Sequence, residues 1–267
     1  MNEWWLAYLA LGVFAGFLAG MLGIGGGGVM VPILVMIFSA QGFLTTEIMH
    51  LALGTSMTAI VFTAISSIRA HHQRGAVRWD VVTRMTPGVL LGAALGSAVA
   101  SHLSGPFLAT FFALFFTVVA WQMLTDRRPS AERELPSVLA QSAVGAGISF
   151  ISCLVAIGGG TLTVPFLVWC NIRMQNAIAT SAAVGFPIAL GGAAGFILNG
   201  WDTPGLPEHS LGFAYLPAVL GIVLASMPMA PLGARAAHRL PVPLLKRCFG
   251  VILLALALKM AWQVLSL

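Results

Sequence analysis

The sequence predicts an all-α polytopic membrane protein. About ten helical segments are expected, as two inverted five-segment repeats with a short or broken helix after each glycine motif. Composition, an internal duplication and the placement of basic residues carry this prediction. Of 267 residues, 58% are hydrophobic and only 8% charged, with a mean hydropathy of +0.95. A soluble domain usually carries about 25% charged residues. No charge occurs in 4–46, 48–68, 85–125, 135–172, 174–201 or 209–234, and several of these runs exceed the roughly 20 residues that cross a bilayer.

The expected segments are 4–23, 29–40, 47–68, 85–101 and 107–124, then 137–156, 161–170, 177–198, 213–231 and 248–265. The first begins WWLAYLALGVFAGFLAGML, without a basic n-region or a small-residue cleavage site, so it is read as a retained helix. Segments 29–40 and 161–170 are marginal for spanning and are expected either to cross or to re-enter. The three cysteines, Cys153, Cys170 and Cys248, lie in apolar stretches without CxxC spacing and read as small packing residues.

The duplication is visible in three anchors. Ile24-Gly25-Gly26-Gly27 aligns with Ile157-Gly158-Gly159-Gly160, and Val31-Pro32 with Val164-Pro165. Downstream, Thr55-Ser56 matches Thr180-Ser181, and LGSAVASHLSGPFL (95–108) lines up with LGARAAHRLPVPLL (232–245). The chain therefore divides into an N-terminal repeat (1–124), a cytoplasmic linker (125–136) and a C-terminal inverted repeat (137–267).

Arginine and lysine mark cytoplasmic loops. Arg69, Arg74, Arg78 and Arg84 cluster in 69–84; Arg127, Arg128 and Arg133 lie in the linker; Arg235, Arg239, Lys246 and Arg247 lie in the last basic loop. Segments 1–3, 102–106 and 199–212 contain neither residue. Corresponding loops of the halves thus carry opposite character, which predicts inversion and both termini outside. The net charge of +5 reports this topology and gives no sign of nucleic-acid binding.

Glycine is costly inside a helix, and unsatisfied backbone is costly in hydrocarbon. GIGGGGVMVP (23–32) and IGGGTLTVP (157–165) therefore predict two unwound stretches, buried in protein or lining a cavity. The following helices should start near Gly28 and near Thr161, with Thr161 as an N-cap and with Pro32 and Pro165 in the first turn. A helix N-terminus presents free amides and a positive dipole end, which suits an anion. The candidate substrate-binding residues are Gly25, Gly26, Gly27, Gly28, Gly158, Gly159, Gly160 and Thr161, joined by the hydroxyls of Thr55, Ser56, Thr180 and Ser181. Thr163, Asn176, Ser149 and Ser152 are weaker additions. Close helix packing is the alternative for the glycines, and bonds back to the helix backbone are the alternative for the hydroxyls.

His71 and His72 fall in a basic stretch expected to be a solvated or headgroup-contacting loop. Lys259 near Trp262 reads as snorkelling to the interface, and Arg173 as a topology signal that could also draw in an anion. There is no GxxxxGK[ST], HExxH or GxSxG, and Glu47 at an edge is the single acid in a long span.

The quoted motifs resemble the TauE/SafE family, sulfite and organosulfonate exporters also grouped as toluene-sulfonate uptake permeases. GMLGIGGGGVMVPIL (20–34), residues 53–80, IGGGTLTVPFL (157–167) and NAIATSAAVGFPIAL (176–190) carry the likeness, which spans nearly the whole chain. The resemblance implies a multi-pass carrier of the bacterial inner membrane that moves small sulfur-containing anions. The expected function is secondary transport, in the export direction, by alternating access between the repeats. The partners are a small anion and the lipid bilayer, with no nucleic acid, cofactor, metal or enzyme activity. Proton coupling and homo-oligomerisation are compatible with the sequence, although no carboxylate relay is visible. The rival readings are a metal-cation transporter and a non-transporting subunit whose glycines pack helices.

Overall fold

A computed structural model describes residues 3–23, 26–125, 134–239 and 242–265. Ten helices follow in order among these residues: α1 (Glu3–Leu22), α2 (Gly27–Ala40), α3 (Ile48–His72), α4 (Trp79–His102), α5 (Gly105–Leu124), α6 (Val138–Val155), α7 (Gly160–Trp169), α8 (Met174–Asn199), α9 (Leu216–Arg239) and α10 (Val242–Leu265). Seven of them contain stretches long and apolar enough to cross a membrane. The protein is an all-α polytopic membrane protein. Among the described residues one small sheet occurs, a hairpin in which β1 (Ser210–Leu211) pairs antiparallel with β2 (Ala214–Tyr215).

The basic connection after α3 is shorter than expected. α3 runs through His72 and α4 starts at Trp79, so His71 and His72 belong to the last helical turn and not to a loop. His71 is buried, its Nε2 3.2 Å from the Gly20 carbonyl. Trp79 Nε1–H donates to His72 Nδ1 at 3.1 Å. The His71 ring, with a carbonyl of a neighbouring helix beside it, no longer needs solvent, whereas His72 stays exposed.

Glycine spacing sets which helices lie closest. Gly12, Gly16 and Gly20 of α1 meet the backbone of Ile222, Ser226 and Ala230 in α9 so closely that a Cβ would overlap a carbonyl. Gly88, Gly92 and Gly96 of α4 meet Ser142, Ala146 and Phe150 of α6 in the same manner. The contacts ascend together in both chains, so α1 runs parallel to α9, and α4 to α6. Small residues every fourth position allow backbones to touch, a membrane-helix device.

The pairings are exchanged between the halves. α1 packs on α9 as α6 packs on α4, α3 on α9 as α8 on α4, and α2 on α3 as α7 on α8. The two longest helices, α3 and α8, pack on each other at the centre. Their hydroxyls reach neighbours: Thr63 Oγ1 lies 2.7 Å from Ser226 Oγ, and Ser66 Oγ donates to the Met227 carbonyl at 2.6 Å.

Candidate functional site

Backbone conformation is the first property that the two breaks share. Gly26 (φ 76°) and Gly159 (φ 81°) take the left-handed conformation as N-caps of α2 and α7. Gly23 (φ 68°) and Ala156 (φ 49°) do the same three residues earlier. All four fall at aligned positions of the duplicated motif. The first amides are wired alike: Val29 and Met30 donate to the Gly26 carbonyl, and Leu162 and Thr163 to that of Gly159. Neither N-cap has a side-chain hydrogen bond.

This corrects three expectations. α7 is capped by Gly159, and Thr161 sits inside its first turn, because a left-handed glycine bends the chain without needing a side-chain cap. α2 starts at Gly27, one residue before the expected position. Pro32 and Pro165 lie beyond the first turn, each the sixth residue of its helix.

Both short helices start half-way along a long one. A Cβ at Gly27 would approach Ile60 Cδ1 at 3.1 Å, near the middle of α3, and one at Gly159 would meet Ile188 of α8 at 2.5 Å. At 14 and 10 residues, α2 and α7 extend about 21 and 15 Å, short of the roughly 30 Å hydrocarbon core. α2 folds back along α1: Gly26 packs on the Ala15 carbonyl, and Gln41, just past its end, donates to Tyr8 Oη at 2.6 Å.

The two breaks meet. A Cβ on Gly27 would collide with the carbonyl oxygen of Ala156, the last residue before the second motif. A cavity of about 10 Å³ lies beside this contact, lined by Ala19, Gly23, Ile60, Ser67, Gly158 and Gly185 among others. That is room for one water molecule at most, so the centre is closed around the glycines. Gly27 and Gly158 therefore lie at this junction, whereas Gly26 packs on Ala15, Gly28 on Phe116 and Leu253, and Gly159 on Ile188; Gly25 lies outside the described residues.

Thr55 and Thr180 hold equivalent posts across the halves. Thr55 Oγ1 in α3 accepts the Tyr215 amide, at the entrance to α9, at 3.0 Å. Thr180 Oγ1 in α8 accepts the Arg78 amide, at the entrance to α4, also at 3.0 Å. Each threonine is fully buried and secures the start of a helix from the other half. Asn176 adds a bond from Nδ2 to the Ala76 carbonyl at 2.9 Å. Their neighbours differ: Ser181 Oγ donates to the Ile178 carbonyl at 2.9 Å, whereas Ser56 Oγ has no hydrogen-bond partner.

Uncharged oxygen dominates this interior. The buried polar residues around the breaks are serines and threonines, and Ser67, Ser149, Ser152, Thr161 and Thr163 have side-chain oxygens without a partner. An unmade hydrogen bond on a buried hydroxyl costs about 1–3 kcal/mol, so such a set calls for explanation. Charge sits at the helix ends: Arg78 and Asp80 pair at 2.8 Å, and the Asp80 carboxylate holds the Arg78 guanidinium above its usual range. Arg173 and Lys259 are exposed, and Cys153 and Cys170 are buried. The side chain of Cys248 lies outside the described residues. Ser67, Ala156 and the amides of Arg78 and Tyr215 were not singled out by sequence reasoning, and only the Gly23–Ala156 alignment could have flagged one of them.

Comparison with known proteins identifies the architecture. The family model described as sulfite exporter TauE/SafE matches residues 8–260. The chain belongs to the TauE/SafE family. Within it, a probable membrane transporter protein of Haemophilus influenzae is 37% identical over 256 residues, covering 96% of this chain and 97% of its own. A probable membrane transporter protein of Xylella fastidiosa is 29% identical over 259 residues, covering 94% and 93%. The probable membrane transporter protein YdhB of Bacillus subtilis is 20% identical over 238 residues, covering 86% and 89%. No solved structure matches this TauE/SafE chain significantly. The protein is a multi-pass membrane transporter.

Proposed function

We propose that this transporter is a secondary carrier of the bacterial inner membrane that exports small sulfur-containing anions such as sulfite or organosulfonates. The observation that carries the reading is the seating of Gly27 on Ala156. Two broken helices whose N-termini converge at mid-length of α3 and α8 offer backbone amides and positive dipole ends to an anion. Family membership adds the substrate class, and the uncharged hydroxyl interior is compatible with an anion that must also leave.

Alternating access follows from the same contact. The closed centre admits no sulfite-sized ion, so passage requires one half to shift against the other. The exchanged and parallel pairings of α1 with α9 and α4 with α6 support two repeats of opposite orientation, and the basic loops support both termini outside. Purified protein in proteoliposomes, offered sulfite, thiosulfate, sulfoacetate, taurine and chloride in turn, is expected to move at least one sulfur anion. Movement of none by a folded protein removes the reading.

A further inference from the structure

The two breaks share a backbone but not a chemistry. Ser149 and Ser152 lie in the last two turns of α6, and Thr161 and Thr163 in the first turn of α7, so the four flank the second break on both sides. Their relative exposures are 0%, 1%, 6% and 0%, and none of the four hydroxyls has a hydrogen-bond partner. Many other buried or half-buried hydroxyls close onto the carbonyl one turn earlier, although Ser56 and Ser67 of α3 do not. Thr86 bonds Val82, Ser97 bonds Ala93 and Thr117 bonds Ala113, each at 2.7 Å. That local bond is the ordinary resting place of serine and threonine in a membrane helix, and the four around the second break do not use it.

The duplication supplies the control. In the alignment that superposes Gly26 on Gly159, these four positions correspond to Gly16, Ala19, Gly28 and Met30 of the first half. None bears a hydroxyl, so the fold itself does not require one at these places. A buried hydroxyl with no acceptor in the protein is matched by a ligand that brings acceptors. The oxygens of a sulfite or sulfonate group are such acceptors, and the helix N-terminus at the start of α7 favours negative charge. Resting on the transport reading, we infer that Ser149, Ser152, Thr161 and Thr163 are the hydrogen-bond donors that select the transported oxyanion. Recognition then belongs to the C-terminal half, while the N-terminal break supplies fit.

The test is flux in proteoliposomes with the same five anions, alongside thermal melting of each variant in detergent. Ser149→Ala and Thr163→Val are expected to slow the oxyanion that the wild type moves by about tenfold or more, with a melting temperature equal to or above the wild type. Thr163→Ser, which keeps the hydroxyl, is expected to retain most of the flux. Thr117→Val, which removes a hydroxyl already satisfied by its own helix, is expected to transport like the wild type. Wild-type flux in Ser149→Ala and Thr163→Val overturns the inference. So does a marked fall in melting temperature in both, since the hydroxyls would then be structural. A wild type that moves none of the five anions defeats the transport reading itself, whereas unaffected variants beside an active wild type defeat only this assignment.

Discussion

The break at 23–32 and the break at 156–165 are one backbone drawn twice with different side chains. Both turn through two left-handed residues spaced by three, both cap a short helix with glycine, and both carry proline at the sixth helical position. The first half fills this frame with glycine and Met30; the second with Ala156, Thr161 and Thr163. The close approach falls on the first half, where Gly27 leaves no space against the Ala156 carbonyl, and the hydroxyls fall on the second. The two breaks share the path of the chain and differ in its chemistry. The path has to be kept, because each break is packed against the other.

The largest effect should come from filling the contact between the breaks. Gly27→Ala places a methyl group into a backbone carbonyl that cannot rotate away, and is expected to cost about 3 kcal/mol or more, read as a lost or strongly lowered melting transition. Gly147 of α6 meets nothing within 4 Å of an added Cβ, and Gly147→Ala should leave the melting temperature unchanged or slightly raised. Equal loss in both variants would mean that the breaks are not in contact.

A smaller effect is expected at the crossed threonines. Thr55→Val and Thr180→Val each leave a helix-entrance amide without its acceptor, costing about 1–3 kcal/mol. Serine at either position should recover most of the loss. Comparable destabilisation by the two valines would support equivalent roles for the halves, and a large disparity would break the equivalence.

The smallest effect concerns the one non-glycine residue among the four left-handed positions. Ala156 pays for a conformation that costs L-residues about 1–2 kcal/mol, while glycine there would lose about 0.5–1 kcal/mol of backbone freedom on folding. Ala156→Gly is therefore expected to raise stability by about 0.5–1 kcal/mol, measurable by thermal melting. A loss of stability would show that the Ala156 methyl group contributes packing greater than this strain.

Much of the fold was legible because its signals are local. Apolar runs between charges located all ten helices to within a few residues, apart from the starts of α4 and α10 and the end of α9. The paired Gly–Val–Pro motifs located both breaks, since glycine runs disrupt helices wherever they occur. The capping of α7 was misread because Thr161 is a good cap by type, and type does not reveal that Gly159 is already left-handed. His71 departs from the expected solvated position because a histidine buried against a carbonyl of α1 has the same sequence signature as a histidine in water, whereas His72 is exposed. Thr55 and Thr180 align in the sequence, but the amides they accept are 160 and 102 residues away in the chain.

The sequence alone determined the class and the number of segments, and it displayed the paired motifs and the clustering of basic residues. These follow from apolar length, periodic glycine and counted charge, which need no partner to be read. Only the tertiary structure decided that the breaks touch, that each half holds the other's helix entrances, and that the second break's hydroxyls are left without acceptors. Those properties belong to pairs of residues far apart in the chain, and the direction in which a buried hydroxyl finds or lacks a partner exists only once the helices are packed.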